Sequence, residues 1–170
     1  MKKPAWSSWL LVTIISALLG AAAFVFLSPK HSDTDAKAVL EAEWRMTDGQ
    51  IFDKNTLKGQ VIVINFWASW CPFCKRQNHY LEKFSKRVPP GSINIVTISI
   101  DKTPEAAKEY MRLNQYTFPA AMMTKELNRA IGKIRGVPVL FIIDANNKVI
   151  YKEIGEVFEE DYAELIKYAK

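Results

Sequence analysis

The sequence predicts an α/β domain, on three observations. Val61 to Phe66, Ile93 to Ile100 and Val139 to Ile143 are apolar runs of strand length, continuous rather than alternating. Such runs belong to strands buried on both faces. The stretches between them carry helix start and stop signals, and the resulting order is β-β, β-α-β-α, β-β-α. The 170 residues suit one domain with a substantial core rather than two.

In chain order, Met-Lys-Lys is followed by an uncharged stretch from Trp9 to Leu27. As a helix it would span roughly 28 Å, about the hydrocarbon thickness of a bilayer. The expected boundaries are 1–8 for a cytoplasmic N-terminus, 9–27 for a transmembrane signal-anchor, 28–40 for a linker and 41–170 for the folded domain. Lys2 and Lys3 orient the N-terminus to the cytoplasm, which puts the domain in the periplasm or on the outer cell surface. The alternative is a cleaved signal peptide, with Ala21-Ala22-Ala23 as the cleavage site. Against it, Phe24-Val25-Phe26-Leu27 would then begin the mature chain.

Asp48-Gly49 lies between Trp44-Arg45-Met46 and Ile51-Phe52 and signals an N-terminal β-hairpin. Asp53 to Leu57 is a short helical turn or loop. A helix opens at Pro72, since proline suits the first turn, and Pro89-Pro90-Gly91 ends it. Tyr80, Leu81, Phe84 and Val88 form its apolar stripe. Thr103-Pro104-Glu105 opens a second helix, to about Leu113. Phe118 to Met122 is a short strand, and Thr124 caps a helix reaching Ile131. Asn146-Asn147 turns the chain into Val149 to Ile154, an antiparallel partner for Val139 to Ile143. Glu159 to Ala169 is a terminal helix.

Composition excludes several classes of function. The formal charge is +5, but beyond residue 30 the 20 basic and 18 acidic side chains nearly balance. No basic stripe interleaves with aromatics, so nucleic acid is not a partner. The two cysteines, Cys71 and Cys74, cannot build a disulfide framework. With His31 and His79 the only histidines, a four-ligand zinc site is poorly served. No flavin or nicotinamide site is present, and no cofactor is expected.

The chemistry lies in Cys71-Pro72-Phe73-Cys74, placed where an apolar strand ends and a helix begins. The thiolate is the attacking species in disulfide exchange. A helix N-terminus, with its unpaired N–H groups, favours that anion at Cys71. Cys74, one turn further in, is expected to be more buried and less acidic. Cys71 would then exchange with a partner, and Cys74 would resolve the mixed disulfide. Trp70 is expected to offer apolar surface to that partner. Lys75 and Arg76 either stabilise the thiolate or simply face water.

Asn65-Phe66-Trp67-Ala68-Ser69-Trp70-Cys71-Pro72-Phe73-Cys74-Lys75 resembles the active-site signature of thioredoxins. It is most similar to the membrane-anchored TlpA/ResA branch, which includes cytochrome c maturation thioredoxins. Gly136-Val137-Pro138 before an apolar strand is a second matching element, and Phe118-Pro119 a third. The resemblance covers roughly residues 42–170. It implies a thioredoxin fold, a central mixed sheet flanked by helices, and thiol–disulfide oxidoreductase activity. It further implies that Pro138 is cis and lies beside the cysteines. Trp70, Pro72, Phe73, Val137 and Pro138 would hold the substrate, with Cys71 and Cys74 catalytic. By the same analogy the direction is reduction of partner proteins, with apocytochrome c among the candidates, and a membrane protein supplies the electrons. A monomer is expected.

Two departures stand out. Thioredoxins carry a buried Asp where this chain has Asn65, and the TlpA/ResA branch often has a Glu where this chain has Gln77. A nearby side-chain base for Cys74 is therefore not expected. His79 replaces a helix-kinking Pro and is expected to pack or face water. The rival readings are a dithiol oxidase of exported proteins, a copper-binding assembly factor on the same fold, and a peroxidase. The last two normally require C-x-x-x-C with a distal His, and T-x-x-C, respectively. Neither pattern occurs here.

Overall fold

The computed structural model describes residues 36–132, 134–165 and 167. The elements follow in the order α1 (Ala36–Glu41), a 3-10 turn (Lys54–Leu57), β1 (Val61–Trp67), α2 (Pro72–Arg87), β2 (Ile93–Ser99) and α3 (Pro104–Asn114). After these come β3 (Ala120–Met122), α4 (Lys125–Ala130), β4 (Val139–Ile143), β5 (Val149–Ile154) and α5 (Glu159–Leu165). The five strands form one sheet in the order β3-β2-β1-β4-β5. β1 pairs parallel with β2 and antiparallel with β4, β2 pairs parallel with β3, and β4 pairs antiparallel with β5. The sheet is therefore mixed, with β1, the strand that leads to the cysteines, at its centre.

The continuous apolar character of β1 follows from this position. Ile62, Ile64 and Phe66 face one layer, with Trp44, Leu57, Leu127 and Ile131. Val63 faces the other, with Leu81 and Phe84 of α2 and Tyr162 and Leu165 of α5. A strand alternates its side chains between faces, so Asn65 and Trp67 also point toward the α2 side.

Two features of the N-terminal part refine the expectations. Residues 36–40 fall within the expected linker, yet Ala36–Glu41 forms α1, with Ala36 and Val39 buried. Val39 also accepts a hydrogen bond at its carbonyl from Trp44 Nε1 (3.0 Å). A short apolar spacing inside a polar stretch was enough to anchor a helical turn. The Asp48-Gly49 turn forms, and Gly49 takes a φ of 92°, a conformation that favours glycine. Its flanks pair across the turn over a short stretch, with the Met46 N–H donating to the Gln50 carbonyl (2.8 Å) and the Phe52 N–H to the Trp44 carbonyl (2.9 Å). They make isolated bridges, Arg45 to Ile51 and Met46 to Ala121. The expected membrane segment, residues 9–27, lies outside the described residues. Among those described, no helix is long and apolar enough to cross a membrane.

Glu82 joins the helical layer to the sheet edge. It is buried on α2 and accepts from the backbone N–H and hydroxyl of Thr117 (2.8 and 2.7 Å). Lys86 lies 2.9 Å away. Burial pushes the carboxyl's pKa up, but the Thr117 and Lys86 contacts outweigh it and hold the group below its usual 4.5. A carboxyl depressed by folding stabilises the protein above its unfolded pKa, and that stability is lost as pH falls through the lower folded value. Replacement of Glu82 by Ala is expected to cost about 2 kcal/mol at neutral pH. Denaturant melts should show the difference shrinking below pH 4.5.

Candidate active site

β1 ends at Trp67, and a four-residue connection delivers Cys71 to the start of α2. Cys71 is the N-cap, with extended backbone angles, and Pro72 occupies the first turn, where its missing N–H costs nothing. The Cys74 N–H donates to Cys71 Sγ at 3.1 Å. The sulfur thus receives one of the helix's orphan donors and lies at the positive end of its dipole. Cys71 and Cys74 are joined in a disulfide, with Cα atoms 5.2 Å apart. Both are buried, Cys71 at 4% and Cys74 at 0% exposure, so the predicted difference in burial is small in the oxidised protein.

The Val137-Pro138 peptide is cis, as the resemblance implied. The Val137 carbonyl oxygen lies 3.6 Å from Cys71 Sγ. Sequence positions 66 residues apart therefore meet at the reactive sulfur. Around them is an apolar rim. Trp70 is 68% and Phe73 54% exposed, Pro72 is exposed and Val137 half-buried. The guanidinium of Arg76 stands over the Phe73 ring, 5.4 Å from its centroid.

Arg76 does not serve the sulfur. Its guanidinium makes a two-point pair with Glu156, with Nε to Oε1 at 2.7 Å. The Glu156 side chain is only 7% exposed. Glu156 belongs to the turn after β5, which starts at Gly155. There φ is 127°, and the N–H donates to the Pro138 carbonyl (3.0 Å). The turn thus ties the cis-proline strand to the first turns of α2.

Beneath Cys74 the layer is polar and uncharged. Gln77 and Asn78 follow Cys74 by three and four residues, one helical turn along the same face, and both are fully buried. The Val157 N–H donates to Gln77 Oε1 (2.8 Å). Gln77 Nε2 donates to Asn65 Oδ1 (2.5 Å), and Asn65 Nδ2 to Asn78 Oδ1 (2.8 Å). The sequence reading marked Asn65 and Gln77 as replacements for acids. It missed Asn78, because an apolar-stripe search passes over amides; the signal was its spacing from Cys74.

The sequence reading also missed Asp101, which is buried beside the connection. Its carboxylate accepts from the Ser69 N–H (3.0 Å), the Ser69 hydroxyl (2.8 Å) and the Ser99 hydroxyl (2.8 Å). It fixes the backbone two residues before Cys71. Asp101 stands just beyond the end of β2, where loops of a parallel pair gather, and that position was its only sequence signal. Trp67 is core, stacked on Tyr110 with centroids 5.0 Å apart. His79 is exposed, against Tyr80.

Comparison with known proteins decides the family. The redoxin family profile matches residues 34–166. The chain belongs to the redoxin family. Among its relatives is the thiol:disulfide interchange protein DsbE of Vibrio cholerae, 26% identical over 92% of this chain and 90% of that protein. Another is the thiol-disulfide oxidoreductase ResA of Bacillus subtilis, 27% identical over 71% of this chain and 69% of that one. Of solved structures, StoA from Bacillus subtilis superposes with a TM-score of 0.62 at 23% identity, over 76% of this chain and 96% of that one. A thioredoxin-family thiol:disulfide interchange protein from Chlorobium tepidum has a TM-score of 0.62 at 28% identity, over 75% and 92%. This redoxin-family chain has a thioredoxin-like fold of the TlpA/ResA type, and it is a thiol–disulfide oxidoreductase.

The amide layer can be tested through Gln77. Leucine is close in size and cannot hydrogen-bond, so Gln77→Leu strands the Val157 N–H and Asn65 Oδ1 in a buried site. The expected loss is about 2 to 4 kcal/mol by denaturant unfolding of the oxidised protein.

Proposed function

We propose that the chain is a membrane-tethered, extracytoplasmic reductase of protein disulfides. Cys71 is the attacking cysteine and Cys74 the resolving one. Trp70, Pro72, Phe73, Val137 and Pro138 form the surface that receives the partner. The Cys71 thiolate attacks a partner disulfide and releases one partner sulfur as a thiolate. Cys74 then displaces the second, leaving the Cys71–Cys74 disulfide. A donor protein in the membrane returns two electrons. Residues 9–27 are the single-pass anchor, with the N-terminus in the cytoplasm and the domain in the periplasm or on the outer surface. The Asp48-Gly49 turn belongs to an N-terminal extension of the domain, and the protein acts as a monomer. The names of the DsbE and ResA relatives support exchange chemistry, and apocytochrome c thiols suit the reading as substrates.

The observation that carries the direction is the pairing of Arg76 with Glu156. A strong oxidant owes its potential to a stabilised reduced form. Here the guanidinium of Arg76, in the second turn of α2, already has a buried carboxylate as partner. Cys71 is left with the helix N-terminus and the Cys74 N–H. That is modest stabilisation of the thiolate, and it favours a reducing couple.

In cells producing the full chain, Cys74→Ser should trap partner proteins as mixed disulfides through Cys71. The wild-type potential should fall nearer about −270 mV than about −120 mV. A potential at the upper value would make the chain a dithiol oxidase. Absence of any trapped partner would refute the exchange roles given to the two cysteines.

A further inference from the structure

The buried amides form a chain with a direction. A backbone N–H can only donate, so the Val157 N–H requires the Gln77 oxygen to face it. That orientation makes Gln77 Nε2 the donor to Asn65 Oδ1, and Asn65 Nδ2 the donor to Asn78 Oδ1. Each amide accepts from the one before and donates to the one after. The last, Asn78 Nδ2, has nothing to donate to.

Two further polar atoms nearby share this condition. Trp67 Nε1 and Tyr110 Oη are buried without a hydrogen-bond partner. Trp67 and Tyr110 pack in one cluster with Cys71, Cys74 and Ala107. Asn78 lies one helical turn below Cys74, and its side chain and that of Tyr116 stand beside the Tyr110 hydroxyl without closing an ordinary hydrogen bond to it. Among the described residues, four buried side-chain polar atoms lack a partner, and three of them are these. Each such atom costs about 1 to 3 kcal/mol. A group of them in one layer calls for an acceptor that arises in another state of the protein.

In the oxidised protein both sulfurs are neutral members of the disulfide, and among the described residues none of these three atoms has an acceptor. Reduction creates one. We propose that Asn78, Tyr110 and Trp67 are positioning residues that stabilise the Cys74 thiolate during resolution, in place of an acidic side chain. The inference rests on the dithiol–disulfide cycle but not on its direction. In the step concerned, the Cys74 S–H gives its proton to solvent. The electron pair left on Cys74 forms the Cys74–Cys71 bond. The bond from Cys71 to the partner sulfur breaks, and that sulfur leaves as a thiolate and takes a proton from solvent. Over the attack and this resolution together, the protein is oxidised by two electrons and the partner disulfide is reduced to two thiols.

The other ionisable groups around this layer are accounted for, and one of them, Asp101, works against a thiolate. On α2, Cys71 is the exchanging sulfur, Lys75 is exposed and Arg76 is paired with Glu156. Asp101 is held by Ser69 and Ser99, and it opposes a second negative charge nearby. On α3, Tyr110 is pushed above its usual pKa by burial. Asn78 and Tyr116 act against that rise, and Asp101 adds to it. The phenol therefore stays protonated and keeps a hydrogen to donate. The neutral donors supply the favourable field through oriented dipoles, strengthened by the chain behind Asn78.

The test uses the full chain with Cys71→Ser, so that Cys74 is the only thiol. Its pKa is read from the 13Cβ shift of labelled cysteine, with and without Tyr110→Phe. Loss of the hydroxyl should raise the Cys74 pKa by about one unit, a tenfold change in thiolate stability. In the otherwise wild-type chain, oxidised Tyr110→Phe should lose little or no stability, since the hydroxyl closes no ordinary hydrogen bond there. An unchanged Cys74 pKa in a folded variant would overturn the proposal, as would equal destabilisation of both redox forms, which marks a merely structural role. If the variant does not fold, the Cys71→Ser chain alone decides. The Trp67 indole N–H resonance should move with the Cys74 titration, and a resonance that stays still sinks the idea.

Discussion

The structure depends on one placement, the sulfur of Cys71 at the first position of α2. The Cys74 N–H reaches that sulfur at 3.1 Å, and the helix dipole favours negative charge there. Other features of the fold serve this placement. β1 occupies the centre of the sheet, buried on both faces, so its end is a fixed point. Asp101 holds Ser69 in the connection that follows. The turn at Gly155 ties the cis-proline strand to α2 through Glu156 and Val157. A reactive group built on a strand end and a helix start, both supported by packing, keeps its geometry through a redox cycle.

The second constraint is electrostatic economy. The layer under Cys74 holds amides, a phenol and an indole, and no carboxylate among the residues hydrogen-bonded to Asn65 and Gln77. A buried acid would carry a desolvation penalty and titrate near the working pH. Amides supply dipoles over the whole pH range, but only if each is held in orientation. That explains why the Val157 N–H matters at a distance from the sulfur, since it sets the sense of the chain. The charged groups close to the site, Arg76 with Glu156 and Asp101 with its serines, are satisfied by each other or by hydroxyls and backbone. They hold elements in place without adding a free charge beside the cysteines.

Much of this was legible in the sequence, and the reasons are local. The strands were readable because burial on both faces leaves continuous β-branched runs such as Val61 to Phe66. The helix at Pro72 was readable because Pro and the Pro89-Pro90-Gly91 stop are local signals. Cys71 and Cys74 were readable because their spacing is a helical turn. Pro138 became legible only through the resemblance, since nothing local links it to a cysteine 67 positions earlier. α1 was missed because two apolar residues in a polar stretch weigh little until a partner surface exists. The turn at Asp48-Gly49 was readable from its dipeptide, but a turn signal does not say how far its flanks will pair. Asn78, Asp101 and Tyr110 were not singled out because their importance comes from which other chain segments they meet.

The account's central claim is that Cys71 carries the lowered pKa and that Cys74 ionises later through neutral donors. The reduction potential of the full chain, measured from about pH 5 to pH 10, tests it most directly. For a two-electron, two-proton couple the potential falls with pH, and the slope halves once one thiol has ionised. The account predicts that halving modestly below the ordinary cysteine pKa of about 8.5, with a second break at higher pH. An unchanged slope up to pH 8.5 would contradict it, because the helix N-terminus would then be giving Cys71 no thiolate at all.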